Sequence, residues 1–143
     1  HWIKKKKKNA LQLGANEVII SKEKNSINRH KNSFDLLINT IPVPHNLDNY
    51  LELLKRDKTM VIVGAIDSFN QVNVRKLIFG RKSIAGSLIG GIKETQEMLN
   101  FCGQHNIVSD VEIINIKKIN QAYQRMLASD VKYRFVIDMK SLI

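Results

Sequence analysis

The chain is poor in the residues that build many kinds of site. In 143 residues it has one cysteine, Cys102, two prolines and one tryptophan, and aromatics make up only 6%. A single thiol excludes an internal disulfide and cannot alone build a zinc centre, so a reducing, cytoplasmic setting is expected. No apolar run reaches the ~20 residues of a membrane-spanning helix, and no secretory signal opens the chain, so no membrane partner is expected. The first residue is His1 rather than methionine, which reads as a processed or excised piece. The seven glycines include neither the G-x-x-x-x-G-K-[ST] loop that cradles nucleotide phosphates nor the G-x-G-x-x-G turn of a dinucleotide site. His1, His30, His45 and His105 show no metal-ligand spacing and read as surface or cap residues. Cys102 falls in a helical apolar register and reads as a buried thiol. Glu94 and Glu97 read as solvated helix residues.

Charge of one sign is abundant: the formal net charge is +10, and Lys4–Lys8 supplies half of it. A basic chain suits polyanions, because neutralised phosphates release counterions. No helix-turn-helix, zinc-finger or aromatic RNA-binding pattern accompanies the charge, so nucleic acid is not expected as a partner.

The hydrophobic pattern predicts alternating elements. A helix ends at Gly14, placed for a left-handed cap, and a short strand follows at Glu17–Ile20. Lys22 to Asn32 is a polar loop with room for a short helix. "SFDLLINTI" (Ser33–Ile41) is a near-continuous apolar run suited to a strand covered on both faces. Pro42 and Pro44 break it, and Leu47, Tyr50, Leu51 and Leu54 recur at helical spacing. "MVIVGAI" (Met60–Ile66) closes a strand–helix–strand unit of the parallel type. Further strands are predicted at Ser83–Ile89, in "DVEIINI" and in "YRFVIDM". One helix should bury Met98, Leu99 and Cys102, and another Ile119, Ala122, Met126 and Leu127. In "SIAGSLIGG" (Ser83–Gly91), small residues at a strand end permit either close backbone packing or the approach of a flat ligand.

The order of these segments resembles a known family. "SFDLLINTIPVPHNLDNYLELLKRDKTMVIVGAI", then "GRKSIAGSLIGGIKETQEMLNFC" and "SDVKYRFVIDM", are similar to the zinc-dependent medium-chain alcohol dehydrogenases. Within them the cinnamyl-alcohol-dehydrogenase branch, which reduces aldehydes with NADPH, is nearest. The likeness runs from about Lys6 to Asp138. It implies an α/β fold: a partial Rossmann-type parallel sheet of about four strands plus the C-terminal return of the catalytic domain. Residues 1–91 would be the C-terminal half of the cofactor domain, and 92–143 the connecting helix and final catalytic-domain segment.

The resemblance also implies site residues. Ser87, Leu88 and Ile89 would line the nicotinamide pocket, Val63 and Gly64 would face the same ring, and Thr40 would stand beside the cofactor. Arg134 would reach the pyrophosphate, where a guanidinium fork suits phosphate oxygens. Lys6 falls near a lysine that holds the 2′-phosphate of NADP(H), although His1, Trp2 and Ile3 occupy the places of small hydroxyl residues. Lys58 stands where a glycine of the "KRDGT" turn is usual, and Asp67 where a proline is.

Missing from the matched region are the glycine-rich turn, the adenine-side strands and the catalytic domain with its zinc ligands. Zinc belongs to the family, but this chain carries none of the ligands. Two function classes follow. One is a truncated NADP-dependent alcohol dehydrogenase, inactive alone and completed by a missing N-terminal half. The other is a non-catalytic remnant or interaction module that forms a homodimer through the Ser83–Ile89 strand.

Overall fold

The computed structural model describes residues 2–65, 67–68 and 71–142 and divides the chain into two compact units, His1–Ile89 and Gly90–Ile143. The first begins with helix α1 (Trp2–Gln12). It stops where a glycine allows it to: Gly14 has φ +98°, its amide donates to the Leu11 carbonyl, and Ala15 donates to Ala10. That is a Schellman closure, which satisfies carbonyls the last turn would leave open. A short helix, α2 (Lys24–Asn28), interrupts the polar loop. His30 ties this region together, its Nδ1 against the Ser26 carbonyl and its Nε2 against Glu17.

Three parallel strands follow in the spatial order β1 (Phe34–Asn39), β2 (Leu54–Ile62), β3 (Ser83–Gly86). Leu37 pairs with Met60 and Met60 with Ile84; Asn39 pairs with Ile62 and Ile62 with Gly86. Helix α3 (Asp48–Leu51) lies between β1 and β2, and α4 (Val74–Gly80) between β2 and β3. Leu47, Leu51, Leu54 and Met60 are buried as one core, against which Leu37, Tyr50, Ile62, Leu77 and Ile84 pack. Asp48 accepts from the Asn73 amide, and Asn73 in turn caps α4 through the Arg75 amide. Lys76 and Lys31 converge on Glu52 and hold its carboxyl below the usual range. Lys82 donates to the Leu51 carbonyl, and partial burial pulls its ammonium down.

Several expectations need correction. Glu17–Ile20 is not a strand; apolar, β-branched residues need a paired neighbour before they become one. Among the described residues the sheet therefore has three strands, against the expected four or so. The helical spacing through Leu54 is only half realised. Leu54 is buried as expected but begins β2, because Asn32, Ser33 and Phe34 take the Glu52 and Leu53 carbonyls. β1 is covered on one face only: Leu36 and Ile38 stay exposed on the side opposite α3 and α4. The left-handed turn residue is Asp57 (φ 60°), not Lys58, which instead pairs with Asp35.

In the second unit α5 (Ile92–Gln104) begins at Gly91, whose amide donates to Glu94 Oε2; that carboxylate is thus a cap rather than merely solvated. Met98 and Leu99 are exposed, and Cys102 is half-buried with its Sγ 3.6 Å from Met98 Sδ. The expected buried stripe of this helix is uncovered. Strands β4 (Glu112–Asn115) and β5 (Phe135–Asp138) pair in parallel, with α6 (Ile119–Leu127) between them. Of the expected face of α6, Ala122 is buried and Ile119 half-buried, whereas Met126 and Leu127 are exposed. Arg125 joins the parts: it forks onto Glu112, reaches Asp130 and stacks over Phe135. Among the described residues no helix is long and apolar enough to cross a membrane.

Candidate functional site

The parallel pairing sends β1, β2 and β3 in one direction, so the residues after Asn39, Ile62 and Gly86 emerge side by side at one edge of the sheet. In open parallel sheets that carboxyl edge is where ligands bind. Thr40 follows β1, Val63 and Gly64 follow β2, and Ser87, Leu88 and Ile89 follow β3. Each strand ends earlier than the sequence predicts, so these residues occupy the loops beyond the ladder rather than the strands themselves.

Close backbone contacts hold the three ends together. The Asn39 carbonyl accepts from both the Val63 amide (3.0 Å) and the Gly64 amide (3.1 Å), and the Ser87 amide donates to the Ile62 carbonyl at 3.1 Å. Gly64 lies against the peptide that follows Thr40: a Cβ there would stand 2.6 Å from the Ile41 carbonyl oxygen. Gly86 has nothing within 4 Å of the same position, leaving open space above β3. Leu88 and Ile89 are each 90% exposed, and Val63 is exposed as well. The edge thus offers backbone polar groups, the two hydroxyls of Thr40 and Ser87, and three uncovered apolar side chains, a surface suited to a flat, partly polar ring.

Asn39 and His45 stand beside this edge, and sequence reasoning gave neither a role. Asn39 is buried; its Oδ1 accepts from the Ile41 amide and its Nδ2 meets His45 Nε2 at 2.9 Å. His45 is half-buried, not a surface residue, with its Nδ1 2.7 Å from the Val43 carbonyl. An N-x-x-x-x-x-H spacing across two prolines was the available signal. It pointed nowhere without the loop's path.

Lys6 lies elsewhere, exposed on α1, and Arg134 is an exposed residue of the second unit, just before β5. Among the described residues no three His, Cys, Asp or Glu side chains gather where a metal ion could be held. The described residues therefore do not fit a zinc ion.

Known proteins resemble this chain closely. The zinc-binding dehydrogenase family model matches residues 3–104. Aldehyde reductase YahK of Escherichia coli is 52% identical over 138 residues, 96% of this chain and 40% of its own length. NADP-dependent alcohol dehydrogenase C of Mycobacterium tuberculosis is 44% identical over the same shares of the two chains. Among solved structures, a cinnamyl alcohol dehydrogenase of Sorghum bicolor superposes with a TM-score of 0.84 at 32% identity, over 94% of this chain and 38% of that one. A Helicobacter pylori counterpart, solved with NADP(H), gives 0.74 at 35% over the same shares. The chain thus spans about 40% of the length of the curated relatives it matches. The architecture is that of the solved dehydrogenases: α/β, a partial Rossmann-type parallel sheet with the C-terminal return.

Proposed function

This chain belongs to the zinc-binding dehydrogenase family, and from that premise we propose that it supplies the nicotinamide half of an NADP(H) site of an aldehyde-reducing alcohol dehydrogenase. The observation that carries the reading is the gathering of Thr40, Val63, Gly64 and Ser87–Ile89 at the carboxyl ends of three adjacent parallel strands. When bound, the cofactor supplies a hydride. The chain's own residues would hold and orient it: backbone groups of Val63 and Ser87–Ile89 and the Thr40 hydroxyl facing its polar edge, Val63, Leu88 and Ile89 keeping water from the ring. Arg134 and Lys6 are proposed for the pyrophosphate and the 2′-phosphate. A guanidinium and an ammonium suit those groups chemically. Hydride transfer to an aldehyde also needs a polarising group on the carbonyl oxygen, and among the described residues no cluster of His, Cys, Asp or Glu could hold a metal ion to supply one. We therefore assign turnover to this chain only with a complementing N-terminal half, and place it in the cytoplasm, where a lone free thiol such as Cys102 persists.

The test is titration of the purified chain with NADPH, followed by nicotinamide fluorescence, with NADH alongside. Saturable binding weakened by Arg134→Ala supports the reading. No saturation at millimolar cofactor in a folded sample rejects it for the isolated chain.

A second reading draws on the sheet edge. β3 pairs with β2 only, among the described residues, and carries Leu88 and Ile89 uncovered beyond it. A strand with one unpaired edge and apolar neighbours invites a second copy. On this reading the chain is a non-catalytic module that self-associates through Ser83–Ile89, of which Ser83–Gly86 is regular strand. Sedimentation separates the two readings: a dimer with no cofactor response favours the second.

A further inference from the structure

We infer that Asn39 and His45 are positioning residues that hold the Thr40–Pro44 segment at the carboxyl end of β1. The functional part of this inference rests on the reading that the strand ends receive nicotinamide. The segment needs such a device because Pro42 and Pro44 have no N–H to give and cannot be tied down by a backbone ladder.

The hydrogen bonds define one another. The Ile41 amide is a donor, so the Asn39 atom facing it at 3.1 Å is the oxygen. The amide nitrogen then faces His45 and donates, so Nε2 accepts at 2.9 Å. The imidazole proton must therefore sit on Nδ1, which faces the Val43 carbonyl, an obligate acceptor, at 2.7 Å. No buried polar side-chain atom is left unsatisfied among the described residues. The imidazole also meets Tyr50 edge-on, 5.8 Å between ring centres, and Tyr50 packs on the buried core.

Asn39 thus acts in two directions. Its side chain fixes the segment that begins with Thr40, and its carbonyl fixes Val63 and Gly64 at the end of β2. The segment is approached from the other side by Gly64, where an added Cβ would run into the Ile41 carbonyl and the Thr40 carbonyl carbon. Releasing the side-chain bonds frees Thr40 while the β1–β2 ladder stays in place.

The experiment uses the full, isotope-labelled chain and its Asn39→Ala, Asn39→Asp and His45→Ala variants, each shown to be folded by circular dichroism. Imidazole nitrogen shifts should place the His45 proton on Nδ1. Loss of the side-chain bond in Asn39→Ala should speed exchange of the Ile41 amide on the order of tenfold, with Met60 unchanged. Asn39→Asp keeps the acceptor for Ile41 but can no longer donate, so Ile41 should stay protected while a proton moves onto His45 Nε2. A residue that merely fills space would not produce that split. His45→Ala should speed Ile41 exchange even if the Asn39→Ala chain does not fold. NADPH affinity should fall several-fold in Asn39→Ala and His45→Ala.

A wild-type His45 protonated on Nε2 overturns the inference, as does unchanged Ile41 exchange in the folded variants. Unchanged NADPH affinity in a chain that binds it overturns the positioning role. A wild-type chain that never saturates with NADPH overturns the cofactor reading instead, while the tautomer and exchange results still decide whether these residues hold the segment.

Discussion

Two glycines near the strand ends make opposite demands. At Gly64 a methyl group would lie 2.6 Å from the Ile41 oxygen, a backbone atom that cannot rotate away, whereas at Gly86 it would meet open space. Gly64→Ala should therefore destabilise the chain by about 1–3 kcal/mol, the usual range for overpacking. Gly86→Ala should be neutral or stabilising by a few tenths of a kcal/mol, through a less flexible unfolded chain. Urea midpoints of the two variants check the contrast, and equal midpoints would refute it. His30 supports a second residue-level prediction. The Ser26 carbonyl, then Glu17, raise its pKa above the ordinary 6.5. A raised folded-state value means that the stabilisation is complete below the unfolded pKa and disappears as pH rises through the folded one. Stability should decline from about pH 6 upward through that window, and His30→Gln should flatten the decline. A wild-type profile that rises over this range would contradict it.

At the scale of elements, the sequence reveals most where burial and period agree. The β1 run, the Met60–Ile62 part of β2, the β3 start and the Gly14 stop all follow from local chemistry, whereas Leu54–Thr59, read as helix end and turn, belongs to β2; Leu47, Leu51, Leu54 and Met60 form the core. What sequence alone could not place is where pairing ends. β3 stops at Gly86 because β2, its partner, leaves the ladder after Ile62, and no local signal in "SLIG" says so. The proposed cofactor residues were legible only through family likeness, and Asn39 with His45 required the loop's three-dimensional path. α3 shows how little local structure a tertiary anchor needs. It is one turn long, too short to persist alone, yet its Leu51 is 0% exposed. Leu51→Ala should cost about 2–5 kcal/mol by denaturant unfolding; a loss below 1 kcal/mol would mean that the site collapses around the cavity. In the second unit, Arg125 binds Glu112 through two nitrogens while stacking on Phe135. Lysine can keep the charge but not the fork. Arg125→Lys should thus lower the exchange protection of β4 and β5 without changing β1–β3, and uniform protection would show the fork to be dispensable.

For the whole molecule, the informative feature is the apolar surface left exposed on the sheet and on α5. Leu36 and Ile38 on the sheet, Leu88 and Ile89 beyond β3, and Met98, Leu99 and Phe101 along α5 are all more than half exposed or close to it. The relatives extend over about two and a half times this chain's length, and parallel sheets are ordinarily covered on both faces. Exposed apolar surface of this kind suits a covering partner, and the two proposed readings differ in which one, a complementing half or more copies of this chain. These differ in a measurable order. Hydride transfer to an aldehyde requires both a held cofactor and a polarised carbonyl, and on the proposed reading the chain provides for the first, while among the described residues no metal-holding cluster provides for the second. The chain by itself should therefore show no aldehyde-dependent oxidation of NADPH, with or without added zinc. Mixing it with a separately folded N-terminal half of a close relative should produce such oxidation and, at the same time, shift any dimer in sedimentation toward the mixed complex. Turnover by the chain alone would show that it carries its own carbonyl-polarising group. Mixed complexes without turnover would leave association as the property that the exposed sheet and helix faces support.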